Sequence, residues 1–289
     1  MMLKDKHMKV ILESQRNEIT EHFIYLKLSQ SITGPNSEVL KKIADDELRH
    51  YDFWKRYTGR DVKASRWKIF KFYWIAKIFG ITFSIKLMER GEISAQSVYN
   101  EIARDLPEVQ SIVDDEDRHE HELIDLINEE RLNYVGSVVL GLNDALVELT
   151  GALAGLTFAL QNTRLIALAG LITGIAASLS MSASEYLSTK AESGEQDPVK
   201  SSVYTGIAYI LTVIILIFPY LIFADYLLCL GFTILNALII IFLFTFYISV
   251  ARDLSFRKRF TEMASISLGV ALISFGIGYL IRIFLGIEV

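Results

Sequence analysis

The segment DDELRH at 45–50 returns as DDEDRH at 114–119. Each copy contains Glu-x-x-His, Glu47 with His50 and Glu116 with His119. On a helix this spacing sets carboxylate and imidazole about one turn apart on one face. Two such faces turned toward each other offer oxygen and nitrogen donors without a thiolate, a set suited to iron, manganese or zinc. Two more glutamates extend the pattern, because Glu18 precedes Tyr25 by seven residues and Glu92 precedes Tyr99 by seven. One Glu from each of two helices, with Glu-x-x-His from each of two others, is the helix-bundle dinuclear metal arrangement. Two divalent ions in a bundle core repel each other; bridging carboxylates cancel that charge, and each imidazole adds one neutral ligand.

Neighbouring acids offer alternatives at the same faces. Glu21 follows Glu18 by three and Glu89 precedes Glu92 by three, so each is a second choice as ligand. Glu92 is preferred to Glu89 because it alone reproduces the spacing to Tyr99. His121 lies two residues from His119 and faces another side of the helix, with Glu122 beside it. Tyr25 and Tyr99 are read as packing around the site.

The elements that must position these groups are four helices, predicted from apolar periodicity over about 9–30, 38–57, 82–104 and 108–131. Breaks fall at TGPN (33–36), near Gly59 and at Pro107. The helices match as two pairs. Between the pairs lies RWKIFKFYWIAKIFG (66–80), which reads either as a helix resting at the headgroup level of a membrane or as a crossover packed on the bundle.

The second half is chemically different. Residues 1–133 carry 21 Lys plus Arg and 24 Asp plus Glu, whereas 134–289 carry 8 and 10, so the division is a polar helical domain at 1–133 and a membrane domain at 134–289. Apolar runs at about 136–160, 165–187, 203–224, 227–250 and 263–286 each suffice for a spanning helix, giving an all-α chain of bundle plus five spans. Arg252, Arg257, Lys258 and Arg259 between the last two spans predict that this loop is inside. With five spans the N-terminus is then cytoplasmic and the C-terminus outside, in a multi-pass protein of the cell membrane. The polar N-terminus is too short of apolar residues for a signal core. The single cysteine, Cys229, excludes an internal disulfide, and a net charge of −5 with no basic stripe excludes nucleic acid as partner.

Acidic residues inside spans are costly and mark function. Asp144 and Glu148 lie four apart on one face of the first span; Glu185 follows Met181 by four near the end of the second. Carboxylates with a thioether beside them replace the hydration shell of a transition divalent cation, and the soft sulfur discriminates against magnesium and calcium. Asn236 and Met263 are further path candidates, while Asp225 and Glu262 at span ends read as structural. Gly and Ala in GALAGLTFA and AGLITGIAASLSMSAS allow close helix approach. Five spans make a poor closed bundle around a path, so a homodimer lined by its first spans is expected.

These motifs carry two resemblances. LGLNDALVELTGALAG followed by SLSMSASEYLS resembles the vacuolar iron transporter family over about 134–289, with Asn143, Asp144 and Ala145 standing at its Asn-Asp-Gly run. Ser180, Met181, Ser182, Ser184, Glu185 and Tyr186 stand at its Ser-Met-Ala-x-Gly-Glu-Tyr. The resemblance implies a five-span dimeric exporter of Fe²⁺, often also of Mn²⁺, driven by protons, with Asp144, Met181 and Glu185 in translocation. Plant-type members carry a glutamate-rich insert between spans two and three; here only about 14 residues separate them. The first half resembles the ferritin-like, rubrerythrin-type family, implying a di-iron site there, and the whole layout resembles membrane-bound ferritin-like iron exporters. The expected function is proton-coupled export of iron captured by the bundle. A membrane-anchored ferroxidase or peroxide-consuming di-iron enzyme is the alternative, and an iron-sensing domain on a transporter a third reading.

Overall fold

The computed structural model describes residues 5–88, 90, 106–125, 134–192 and 196–285. Every described element is helical. The chain divides into two compact units, Met1–Glu129 and Glu130–Val289.

The first unit is a globular helical region. It contains α1 (Asp5–Ser29), α2 (Pro35–Thr58), α3 (Arg66–Phe79), α4 (from residue 81, described to 88), a 3₁₀ turn at Pro107–Val109 and α5 (Gln110–Asp125). Local chemistry sets the limits of α2. Pro35 occupies its first turn, Glu38 faces the positive helix end, and Lys55 and Arg56 face the negative end. Gly59 closes it in the left-handed region at φ 63°. Two apolar clusters hold the unit together. Ile24, Leu28, Leu40 and Ile43 meet Phe72 and Ala76 of α3, Ile85 and Met88 of α4, and Leu123 of α5. Ile11, Phe53 and Trp54 meet Val109, Ile112 and Val113.

The second unit is a five-helix membrane-spanning domain: α6 (Val135–Leu160), α7 (Thr163–Ala191), α8 (Pro198–Ile222), α9 (Tyr226–Ala251) and α10 (Phe256–Leu285), each long and apolar enough to cross a membrane. Short polar residues start three of them. Asn162 caps α7, Asp197 caps α8 ahead of Pro198, and Asp225 accepts from the Leu228 N–H at 2.7 Å to cap α9, the structural role expected of it. Helix α6 packs against all four others. Its buried Ala145, Leu146, Leu149 and Leu153 form a core with Tyr209, Val213, Leu216 and Ile217 of α8. Small residues permit the close crossings: a methyl group on Gly141 would overlap the Thr205 carbonyl oxygen, and one on Gly278 the carbonyl oxygen of Gly155. The outer faces of α7 to α10 expose Leu, Ile and Phe, as suits helices bathed in hydrocarbon.

Candidate metal centre and membrane carboxylates

Helices α1, α2 and α5 bring Glu18, Glu47, His50 and Glu116 together, each presenting one ligand atom within 4.8 Å of the others. Glu18, Glu47 and His50 are buried and Glu116 is half-buried. Nδ1 of His50 lies 3.3 Å from Glu116, 3.6 Å from Glu47 and 3.7 Å from Glu18. Nδ1 of His119 lies 3.4 Å from Oε1 of Glu47, whose Oε2 faces His50. Glu47 thus offers one oxygen to each imidazole.

Behind the rings stand residues to which the sequence reading assigned no role. Nε2 of His50 meets Asp115 at 3.2 Å, and Nε2 of His119 meets Asp46 at 2.9 Å. The repeat therefore exchanges parts, because the aspartate just before each glutamate bonds the histidine of the other copy. Arg118 bridges Asp46 and Asp115 at 3.0 and 2.8 Å, and Arg49 pairs with Asp46. These bonds fix ring orientation and leave both Nδ1 atoms aimed at the carboxylates. Trp54, also missed, donates its indole N–H to Oε1 of Glu18 at 3.1 Å. The signal for the aspartates was available in the repeat, since DDE preserves them at the same offset; Trp54 had none.

The electrostatics of the cluster suit a cation. Burial, followed by the charge of Glu116, raises Glu47 well above the carboxylate range. Burial raises Glu116 as well, against the pull of His50. Burial pushes Glu18 upward too, but His50, Glu47 and the Trp54 N–H outweigh it and hold Glu18 low. Burial favours neutral His50, yet Glu116, Glu18 and Glu47 outweigh it and raise the ring. For Asp46 burial opposes ionisation, but the His119 hydrogen bond and Arg49 bring it to about 2. Protons thus occupy positions a divalent ion would compete for. The fit is supported by buried atoms: Oε2 of Glu47 and Nδ1 of both histidines make no hydrogen bond to any described residue. The donor set of carboxylate oxygens and imidazoles fits iron, manganese or zinc.

Other predicted ligands divide. Glu21 is buried but is not among the four converging residues. Tyr25 packs in the first apolar cluster, as expected. Glu92, its alternative Glu89, and Tyr99 lie outside the described residues, as do the side chains of His121 and Glu122.

In the membrane unit, Glu185 of α7 accepts a 2.6 Å bond from Ser137 of α6. Ser137, Asp144 and Glu148 are spaced seven and four, so they share one face of α6 with about 10 and 16 Å of rise from the first to the others. Asp144 is half-buried and Glu148 exposed, with the Tyr209 hydroxyl donating to Glu148 at 2.9 Å. Met181, one turn before Glu185, packs on the α6–α8 core. Beside Asp144, the buried Oδ1 of Asn143 makes no hydrogen bond to any described residue, which leaves an acceptor on this stretch. Asn236 donates to the Ile215 carbonyl at 3.1 Å and ties α9 to α8, while Met263 receives the Thr245 hydroxyl at 3.7 Å. Ser137 and Tyr209 were invisible to a search for charge within spans.

No curated protein and no solved structure matches the chain. Residues 135–195 match the model of the VIT family, over a stretch that runs through α6 and α7 and holds Asp144, Glu148, Met181 and Glu185, so the C-terminal unit carries a VIT-family multi-span membrane domain.

Proposed function

We propose that the chain exports divalent iron from the cytoplasm in exchange for protons, with manganese as a second substrate, and that its first unit is a ferritin-like di-metal domain that captures the ion. The observation that carries this reading is the convergence of Glu18, Glu47, His50 and Glu116 in a chain whose 135–195 segment matches the VIT family. His119 and the second oxygen of Glu47 serve a second ion, with Glu92 as its remaining ligand and Glu89 as the alternative.

Glu185, oriented by Ser137, receives the ion at the inner end of α6 with the Met181 thioether one turn deeper. Asp144 and then Glu148 take it along the same face of α6, with Tyr209 fixing the Glu148 carboxylate. Protons arriving from outside neutralise these carboxylates and release the ion, which couples the two fluxes through one set of residues. Exposure of Glu148 halfway along α6 supports a homodimer in which two α6 helices face each other, because an acid bared to lipid at that depth is costly. The N-terminus is cytoplasmic and the C-terminus outside.

Proteoliposomes loaded under an imposed pH gradient and offered Fe²⁺, Mn²⁺ and Zn²⁺ test this reading. Asp144→Ala is expected to abolish flux, and Glu47→Ala/Glu116→Ala to lower it at limiting metal while leaving it intact at saturating metal. Undiminished Fe²⁺ flux through Asp144→Ala would overturn export. In that event a di-iron oxidase held on a membrane anchor is the reading to pursue.

A further inference from the structure

Helix α3 has two apolar faces, and the described residues of the first unit pack on one of them. Phe72 and Ala76 are buried against Ile24, Leu28 and Leu40. On the opposite side Trp67, Phe70, Trp74 and Ile78, spaced three, four and four, fall within about 80° of one another around the helix. All four are exposed, Trp67 by 70% and Ile78 by 62%. Trp67 stacks on Phe70 with ring centres 6.1 Å apart, and Phe70 lies 6.2 Å from Trp74, so the rings form one strip. Exposed Arg66, Lys68, Lys71 and Lys77 border the strip on both sides, and no acidic residue occurs anywhere in Arg66–Phe79.

An apolar strip of this extent on a polar unit marks a contact surface. Its chemistry selects the partner. Aromatic rings flanked by long cationic side chains suit the headgroup layer, where rings reach the acyl boundary, methylene stems lie along it and ammonium groups meet phosphate. A second copy docking through the same strip would set four cations against four. Lipid is also always at hand, because the nine residues 126–134 join Asp125 of α5 to Val135 of α6, a distance of at most roughly 35 Å fully extended.

We propose that Trp67, Phe70, Trp74 and Ile78 insert into the headgroup layer of an anionic bilayer, making α3 an in-plane anchor that holds the first unit on the membrane its own chain crosses. This does not depend on which ion the chain carries or whether it carries one.

The chain's three tryptophans make the test direct: Trp54 is fully buried, and Trp67 and Trp74 are the strip. The full-length protein is reconstituted in liposomes of phosphatidylcholine and phosphatidylglycerol, with the choline lipid brominated near the top of its acyl chains. Tryptophan emission is expected to fall about twofold or more against unbrominated liposomes. Trp67→Phe/Trp74→Phe, which keeps the surface apolar and retains Trp54, should lose most of that quenching. Lys68→Glu/Lys71→Glu/Lys77→Glu should weaken it by repelling the anionic surface. Emission untouched by bromolipid but quenched by aqueous acrylamide would overturn the proposal, as would emission quenched by neither, which would mean that protein covers the strip. Equal quenching in the double Phe variant would overturn it too.

Discussion

Nδ1 of His50 and Nδ1 of His119 face carboxylate oxygens because an aspartate from the opposite repeat holds each ring by Nε2. Any effect of Asp46 and Asp115 on a bound metal would therefore pass through the histidines. Asp46→Asn/Asp115→Asn is expected to weaken metal binding by about 10- to 100-fold without unfolding the protein, as read by isothermal titration of the full chain with Mn²⁺ alongside circular dichroism. Unchanged affinity would reduce these aspartates to surface charge partners of Arg49 and Arg118. Glu47 makes the opposite kind of prediction. Burial and the charge of Glu116 oppose ionisation of Glu47, and keeping it protonated costs the fold stability, so Glu47→Gln should raise the melting temperature of metal-free protein, by about 1 kcal/mol or more of stability, and abolish the rise that metal produces. A lower melting temperature in the metal-free variant would mean that Glu47 is there for packing. The glutamates and histidines of this site were legible in the sequence because a metal needs donor atoms of known type at helical spacing. The swap of aspartates between repeats was not, because it depends on how closely α2 and α5 approach.

Among the elements, α6 is the hub of the membrane unit, and its close crossing with α8 rests on Gly141 beneath the Thr205 carbonyl. Gly141→Ala should cost about 1–3 kcal/mol, because backbone rather than a flexible side chain must give way. Gly136, with open space around it, should accept Ala with stability unchanged or raised. Thermal unfolding in detergent compares the two; equal melting temperatures would mean that the crossing is looser than it stands here. Span limits were read well where polar caps end them, as at Asn162 and Asp225, and less well where helix continues past the hydrocarbon. Helix α10 begins at Phe256 rather than near 263, because FRKRFTE satisfies helical hydrogen bonding while its charges stay in water. In 66–80 one face of α3 packs on the first unit, as the crossover reading has it, and the other bears the exposed aromatic strip.

For the whole molecule, orientation in the membrane is the quantity to measure. The only cysteine, Cys229, is buried, so single cysteines placed at exposed sites report sidedness against a silent background. Ser255→Cys, in the turn that carries Arg252 and precedes Arg257, Lys258 and Arg259, should react with an impermeant maleimide only after the cytoplasmic face is opened. Ala224→Cys, in the turn between α8 and α9, should react in intact cells. The reverse pattern would invert the proposed direction of transport.

The sequence by itself determined two things about this protein: that a helical unit rich in paired donors precedes five spans, and that acids recur inside the first two spans. Both follow from composition and periodicity, which need only neighbours along the chain. Tertiary structure alone decided that Glu47 also faces His119, that each aspartate serves the other repeat, and that Ser137 and Tyr209 hold Glu185 of α7 and Glu148 of α6. Those pairings join residues tens of positions apart, and helix-to-helix distance, which no local pattern encodes, is what brings them within a hydrogen bond of each other.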